Sequence, residues 1–403
     1  MKFNFKARDK EGKEITGERE ATDRFALARE MRTTGLTLLL AKPVVIGDVA
    51  RVIQRLFIGS VKMHDKIVFA GNLSAMVSAG LSLSRAFAIM ERQTKNKHFK
   101  SVIKGLSLLL SGGDSLATAL GTYPEIFPPV FTAMVSAGEE SGKLPQSLQV
   151  VADQLMKNYD LRRKVRGAMI YPVIIIIVII AIGILMMIFL VPNLTAIFKE
   201  MGAELPLSTR LVIATSNLLS QHTFLALGSL LGFVVLAIAF FRSVRGKRVV
   251  DYLAIHLPLI KPIVHKVNAA VTMRTLSSLL SSGVGMVASL NITGRVIQNH
   301  YYQVIIALGA TAVEKGQPLS TAFKAHENLY PVLVGEMIEV GEETGKLSEL
   351  LLKGALFYEE EVSQATKNLS TIIEPLLMVL IGIAVGFFAV SMIGPIYSLS
   401  DAL

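Results

Sequence analysis

One stretch of the chain occurs twice, and the distance between its copies holds over most of the sequence. MVSAGEESGKLPQSL at 134–148 returns as MIEVGEETGKLSELL at 337–351, 203 positions later. The same offset aligns glycines and prolines far from this motif without a gap. Because Gly and Pro constrain the backbone differently from other residues, matched positions imply matched turns. We therefore predict that residues 69–198 and 272–401 are two copies of one structural unit.

Three apolar runs are long enough to cross a bilayer. The chain is 52% hydrophobic and 18% charged, whereas soluble domains are about 25% charged. A helix of about 20 apolar residues spans the hydrocarbon core, and lipid offers no other partner for backbone groups. The sequence therefore predicts transmembrane helices at 168–191, 224–241 and 371–393.

The basic residues beside these runs predict their orientation. Four cations precede the first run and four follow the second: Arg162, Arg163, Lys164 and Arg166, then Arg242, Arg245, Lys247 and Arg248. Loops rich in Lys and Arg stay in the cytoplasm. We expect residues 1–167 and 242–370 to be cytoplasmic, and the loop 192–223 and the tail 394–403 to be periplasmic. The first residues are charged, so no cleavable signal peptide is expected.

The residues before the first apolar run predict a small N-terminal unit, a linker and a helical domain. Alternating residues and a turn indicate two strands, a helix and a third strand within 1–45. This small unit is either an adaptor that docks on a partner or a cap on the next domain. Residues 46–63 predict a linker helix, either a plain tether or a surface-binding segment. Residues 64–167 predict six helices, of which the fourth is capped by Asp114 and the fifth stops at Gly138. The expected fold is an all-α polytopic membrane protein with two six-helix cytoplasmic bundles, three transmembrane helices and a small N-terminal ββαβ unit.

The repeated motif resembles a phosphate-binding loop but lacks its spacing. A P-loop has four residues between its glycines and Ser or Thr after the Lys, whereas here three intervene and Leu follows. Two alternatives remain: a structural junction between helices, or matched acidic corners that contact a basic partner or a cation. The candidate interaction residues are Gly138, Glu139, Glu140, Gly142, Lys143, Gly341, Glu342, Glu343, Gly345 and Lys346.

A second candidate site lies where the apolar runs begin. Tyr171-Pro172 and Glu374-Pro375 occupy equivalent positions in the two copies. Proline removes a backbone hydrogen bond early in each span, so it can kink the helix. We expect a membrane hinge at these four residues. Glu374 is either an interfacial residue or a polar contact for a partner helix.

No set of catalytic residues is visible. The seven histidines show no HExxH spacing, and no Gly-x-Ser-x-Gly or dinucleotide loop occurs. The absence of cysteine excludes disulfides, thiolate metal sites and cysteine nucleophiles. We expect no enzyme activity, no cofactor, no metal site and no nucleic-acid partner.

The order of these motifs resembles the type II secretion system F family, which includes the PilC-type inner-membrane platform proteins of type IV pili. The likeness covers nearly the whole chain, with a span that opens Ile-Tyr-Pro, paired GEE[ST]GKL motifs and Ile-Glu-Pro in the second copy. It implies a multi-pass protein of the cell inner membrane that forms dimers or higher oligomers. The implied partners are a cytoplasmic hexameric assembly ATPase, pilins or pseudopilins, and other inner-membrane assembly proteins.

Three other classes of protein remain as alternatives. A non-enzymatic scaffold of another envelope assembly fits the same pattern. A transporter fits less well, because transporters place their sites at the bilayer midplane between many spans. A receptor is disfavoured because the outward loop is only some 30 residues.

Overall fold

The computed structural model describes most of the chain: residues 2–8, 14–20, 31, 36–43, 61–200, 207–221 and 223–400. These residues divide into two compact units. One contains residues 1–62 with 91–103, and the other contains residues 63–90 with 104–403. The predicted linker helix at 46–63 lies outside the described residues, apart from its last three.

A small antiparallel sheet begins the chain. Its strands are β1 (Lys2–Arg8), β2 (Glu14–Glu20) and β3 (Thr37–Pro43), in the order β2-β1-β3. The alternating sequence predicts β1 and β2, and the short apolar run at 36–40 predicts β3. The helix predicted between β2 and β3 falls on residues outside the description, except for Met31, whose side chain is buried.

Six helices form each copy of the repeat, as the sequence predicts. In the first copy they are α1 (Met63–Ser78), α2 (Leu83–Gln93), α3 (Lys97–Ser111), α4 (Leu116–Gly121), α5 (Pro129–Glu140) and α6 (Leu144–Leu185). In the second copy they are α11 (Lys261–Ser281), α12 (Met286–Val296), α13 (His300–Glu314), α14 (Leu319–Lys324), α15 (Val332–Thr344) and α16 (Leu347–Ser400).

Two helix boundaries in the first copy differ from the prediction. Helix α5 continues to Glu140, so Gly138 lies inside the helix and does not end it. The cap of α4 is Ser115, whose side chain accepts a hydrogen bond from the Thr118 backbone, where the sequence suggested Asp114.

The duplication extends to individual hydrogen bonds. The Ser74 hydroxyl donates to the Pro145 carbonyl at 2.8 Å, and the Ser277 hydroxyl donates to the Ser348 carbonyl at the same distance. Each bond ties the first helix of a copy to the start of its sixth. Because the partners in the two bonds are 203 positions apart in sequence, the copies share side-chain contacts as well as helices.

The last helix of each copy continues into an apolar run. Helix α6 is followed without a gap by a π-helical turn (Met186–Leu190) and by α7 (Val191–Glu200). Among the described residues, two helices are long and apolar enough to cross a membrane, Leu144–Ile197 and Leu347–Ser391. In the most apolar window of the first, none of the 18 residues is buried. These side chains need an apolar environment that the chain itself does not supply.

The segment 192–223, which we predicted as a loop, is largely helical. Helix α7 occupies its start and α8 (Leu207–Gln221) its end. The sequence predicted this segment only as the connection between two spans and gave no helices within it, and the helices it contains are short and amphipathic. Their apolar residues bury Val191, Val212 and Ile213 against Phe388 of α16. Two further helices, α9 (Thr223–Arg242) and α10 (Val244–His256), lead into the second copy.

The two copies fill their cores with different side chains at equivalent positions. In the first copy Phe69 packs against Phe127, with ring centroids 5.4 Å apart. The equivalent residues of the second copy are Thr272 and Tyr330, whose hydroxyl groups are 2.8 Å apart. Burial raises the pKa of the Tyr330 phenol, so the group stays protonated and can share a hydrogen bond. One apolar pair has therefore been replaced by one satisfied polar pair.

Replacing Tyr330 by Phe removes one partner of this pair and leaves the buried Thr272 hydroxyl without it. We expect the Tyr330→Phe variant to lose about 1–2 kcal/mol of stability. The double variant Tyr330→Phe/Thr272→Val removes both hydroxyls and regains most of the loss. Thermal unfolding of the full chain in detergent measures both, and equal midpoints for the two variants would contradict the pairing.

Candidate functional site: the repeated corners and the membrane boundary

Each copy turns sharply between its fifth and sixth helices, at residues 138–144 and 341–347, which we call the first and second corner. The turn needs a left-handed backbone at its second glycine. Gly142 has φ +68° and Gly345 has φ +67°. Residues with a Cβ adopt this conformation only with strain. The motif therefore encodes a junction between helices, one of the two alternatives drawn from the sequence.

The first glutamate of each corner binds backbone groups at the start of a short helix. The Glu139 carboxylate accepts hydrogen bonds from the backbone N–H groups of Leu116 at 2.7 Å and Ala117 at 2.9 Å. In the second corner Glu342 accepts from the N–H groups of Leu319 at 2.6 Å and Ser320 at 3.1 Å. A carboxylate at a helix N-terminus is favoured by both these donors and the helix dipole. Glu139 thus holds the start of α4 against α5, and Glu342 holds the start of α14 against α15.

The first glycine of each corner allows the fifth and sixth helices to approach closely. A Cβ on Gly138 would lie 2.5 Å from both the Cβ and the Oγ of Ser147. A Cβ on Gly341 would lie 2.8 Å from the backbone Cα of Leu347. Real Cβ atoms do not tolerate such distances. The corner is therefore closely packed as well as hydrogen-bonded.

Six of the ten predicted interaction residues are exposed, and four of these six are charged. The exposed residues are the glycines Gly142 and Gly345 and the charged Glu140, Lys143, Glu343 and Lys346. Glu140 accepts a hydrogen bond from the Ser136 hydroxyl of its own helix at 3.0 Å. A partner that touches the corners would meet these four charges first, whereas the glycines and the first glutamates act within the fold. The described residues contain no group of three or more His, Cys, Asp or Glu placed to hold a metal ion.

The structure shows no break in either helix at the predicted membrane hinge. Helix α6 runs through Tyr171 and Pro172, and α16 runs through Glu374 and Pro375. Tyr171, Glu374 and Pro375 are exposed and Pro172 is buried. The hinge stays a prediction.

An irregularity that the sequence analysis missed lies further along the first span. The π-helical turn begins at Met186, and the Ser216 hydroxyl of α8 donates a hydrogen bond to the Met187 carbonyl. A π-turn changes the local carbonyl pattern of a helix, so a side chain from a neighbouring helix can bind there. No motif in the sequence signals it.

The sequence analysis also missed a buried polar contact between the two copies. The Gln154 side chain of α6 donates to the Thr275 hydroxyl and accepts from the Ser278 hydroxyl, each at 3.0 Å. Gln154 is only 2% exposed. Nearby, Leu161 of α6 belongs to the apolar core of the second copy. The sixth helix of the first copy therefore packs into the second.

A buried ion pair in the second copy lies beside this contact. Both carboxylate oxygens of Glu359 lie 2.7 Å from guanidinium nitrogens of Arg274. Such a two-point contact fits the planar shape of both groups. Arg274 follows Met273 on α11, so the pair joins α11 to α16.

Comparison with known proteins identifies the repeat. A family described as "Type II secretion system (T2SS), protein F" matches residues 69–192 and again residues 272–395. The chain belongs to this family. Each match contains one corner and one membrane boundary, so both candidate sites lie within the matched residues and occur once in each match.

Relatives from two branches of the type II secretion F family resemble the whole chain. A type IV pilus assembly protein PilC of Thermus thermophilus is 35% identical over all of this chain and 98% of its own length. PilC of Myxococcus xanthus is 31% identical over all of this chain and 95% of its own length. Type II secretion system protein F of Aeromonas hydrophila is 28% identical over 93% of this chain and 96% of its own length.

Neighbouring glutamates allow a direct test of the corner. We expect Glu342→Gln to destabilise the chain by about 1–2 kcal/mol, because it removes the charge from two short hydrogen bonds. Glu343→Gln makes the same chemical change one residue later at an exposed position, where surface substitutions change stability by at most about 0.5 kcal/mol. Equal thermal midpoints for the two variants in detergent would show that Glu342 does not hold the corner.

The close approach at the first corner is tested by adding one methyl group. Gly138→Ala places a Cβ against Ser147, and we expect it to destabilise the chain by about 1–3 kcal/mol. Gly121→Ala is the matched control, since no atom lies within 4 Å of its added Cβ. A melting temperature of Gly138→Ala equal to or above that of Gly121→Ala would contradict the close approach of the two helices at Gly138.

Proposed function

We propose that this chain is an inner-membrane platform protein of a type IV pilus or type II secretion machine. It would receive motion from a cytoplasmic assembly ATPase and pass it to pilin-like subunits as they leave the membrane. The observation that carries this proposal is the continuity of α6 and α16. In a chain that matches the type II secretion F family twice, each of these helices runs unbroken from a corner into an apolar run.

A continuous helix is suited to carry a displacement. At 1.5 Å per residue, the 42 residues of α6 extend about 63 Å and the 54 residues of α16 about 80 Å. Every backbone hydrogen bond inside such a helix resists bending. A shift at either corner therefore reaches the apolar end of the same helix, where it can act on a neighbouring helix in the bilayer.

Contacts at both ends of α6 and α16 support a three-span topology. The Gln154 contact and the bond from Lys164 to the Ser363 hydroxyl at 3.1 Å join the copies at one end. Near the end of the last apolar run, the Thr209 hydroxyl of α8 donates to the Ser391 carbonyl of α16. If α6 and α16 both cross the bilayer in this arrangement, the chain must return between α8 and the second copy. The 20 residues of α9, which contain the uncharged run 224–241, are long enough for that crossing.

The distribution of charge supports an orientation for these spans. The cations before the first run and after α9 lie on the side of the two corners. By the positive-inside rule that side is the cytoplasm. The N-terminal sheet and both corners would then face the ATPase, and α7 and α8 would face the periplasm.

The exposed charges of the corners are the surface we assign to the ATPase. Glu140, Lys143, Glu343 and Lys346 present the same pattern twice. The uncovered apolar side chains of α6 and α16 are the surface we assign to pilin-like helices and lipid. In this role the chain binds no nucleotide of its own, and it works as a homo-oligomer together with other inner-membrane assembly proteins.

The topology can be tested with single cysteines, because the natural chain has none. We expect Asn217→Cys, on an exposed face of α8, to react with a membrane-impermeant maleimide added to intact spheroplasts. Lys143→Cys and Lys346→Cys should react only after the membrane is permeabilised. Labelling of Lys143→Cys and Lys346→Cys on opposite sides of the membrane would overturn the topology.

The ATPase contact is tested by reversing corner charges. We expect the full chain in nanodiscs to retain the assembly ATPase of the same organism, and the double variant Glu140→Arg/Glu343→Arg to lose most of that binding. Glu314→Arg, an exposed reversal at the end of α13 and outside both corners, is the control and should keep it. Absence of binding by the unaltered chain, or ATP hydrolysis by the chain alone, would contradict the proposed function.

A further inference from the structure

A cleft lies along the line where α6 and α16 meet, just before their apolar runs. It consists of two neighbouring cavities of about 440 and 360 Å³, which share Lys164 and Gly167 in their walls. Both volumes fall in the range of small-molecule sites, about 300–1,000 Å³. The Lys164 ammonium group crosses the cleft and donates to the Ser363 hydroxyl of α16. The cleft is thus bounded by both copies of the repeat.

The walls of this cleft carry more positive than negative charge. Lys157, Arg163 and Lys164 line the first cavity together with Asp160 and Glu359, and Lys367 lines the second. Both oxygens of Glu359 are bound to Arg274, so this carboxylate is already compensated. Four cations therefore surround a space that has one further carboxylate, Asp160, to balance them. Such a lining favours an anion.

The second cavity reaches the first residue of the uncharged run. Ala168 is part of its wall, and the side chains that follow on α6, from Met169 to Ile174, are mostly exposed and apolar. On α16, Ile372 and Leu376 are likewise exposed. A ligand in the cleft would therefore have its anionic group among lysines and arginines and an uncovered apolar surface directly beyond it.

We propose that this cleft binds the headgroup phosphate of an anionic phospholipid from the cytoplasmic leaflet, with the acyl chains along α6 and α16. Basic pockets between transmembrane helices on the cytoplasmic side suit such headgroups. The bound lipid contacts both copies, so it strengthens the junction between them at the membrane surface. The proposal rests on the membrane orientation given under the proposed function, but it requires neither the ATPase nor a pilin.

Native mass spectrometry of the full chain, delipidated in detergent, tests this site. The probes are phosphatidylglycerol, phosphatidylcholine with the same acyl chains, and inorganic phosphate. We expect the first phosphatidylglycerol to bind about tenfold more tightly than phosphatidylcholine. Lys157→Gln/Lys367→Gln removes one cation from each cavity and keeps Lys164, so it should weaken phosphatidylglycerol binding by about tenfold or more.

The matched control removes two exposed cations beside the membrane but outside the cleft. Lys247→Gln/Arg248→Gln on α10 should change the affinity by less than about twofold. Equal loss in both double variants, equal binding of the two lipids, or complete displacement by millimolar inorganic phosphate would overturn the proposal. The last result would indicate a site for a soluble anion.

A measurement on the unaltered chain covers the case in which a variant does not fold. Phosphatidylglycerol should protect Lys157 and Lys164 from an amine-acetylating reagent while Lys247 stays reactive. Equal reactivity of the three lysines with and without the lipid would also overturn the site. A chain that binds the lipid but no ATPase would contradict the proposed function and leave this inference intact.

Discussion

The contact between α6 and the second copy is the interaction on which the rest of the structure depends. Gln154 is buried, and its amide both donates to Thr275 and accepts from Ser278. Leaving such a buried group without partners costs about 1–3 kcal/mol, so this contact is strongly preferred over displaced alternatives. Leu161, two turns later, lies in the core of the second copy. Together with the bond from Lys164 to Ser363, these contacts join the copies through polar and apolar residues of the same helix.

This junction has consequences for the membrane. Two domains in contact occupy the same side of a bilayer, and helices that leave them side by side enter it side by side. The basic cleft between α6 and α16 exists only because the junction brings the two helices together above their apolar runs. Under the proposed function, motion at one corner would then displace both α6 and α16.

The two copies share their backbone turns, but they differ in the contacts that equivalent helix faces make. Both corners keep the left-handed glycine and the glutamate that binds a short helix. Yet the position equivalent to Gln154 is Phe357, which is 49% exposed. The position on α6 that is buried between the copies is therefore exposed at its equivalent on α16. Likewise Phe69 and Phe127 of the first copy correspond to Thr272 and Tyr330 of the second, so an aromatic pair in one core is a hydrogen-bonded pair in the other.

Much of this fold follows from the sequence, and the exceptions have physical reasons. Helix periodicity and repeated Gly and Pro predicted six helices in each copy, because these residues act locally on the backbone. The role of Glu139 and Glu342 was not predicted, since their partners are backbone groups more than 20 residues away. The junction at Gln154 was missed because hydrogen bonds between distant side chains leave no periodic signal. Helices α7 and α8 were not predicted within the connection 192–223, because short amphipathic segments gain their stability from packing.

The most direct test of the account is a crosslink across the junction inside the membrane. Gln154→Cys and Ser278→Cys would be combined in the cysteine-free chain and treated in native membranes with a short bis-maleimide. The account predicts an intramolecular crosslink that persists when the expression level is lowered. Only uncrosslinked chain, or links formed solely between different molecules, would show that the two copies do not pack as described.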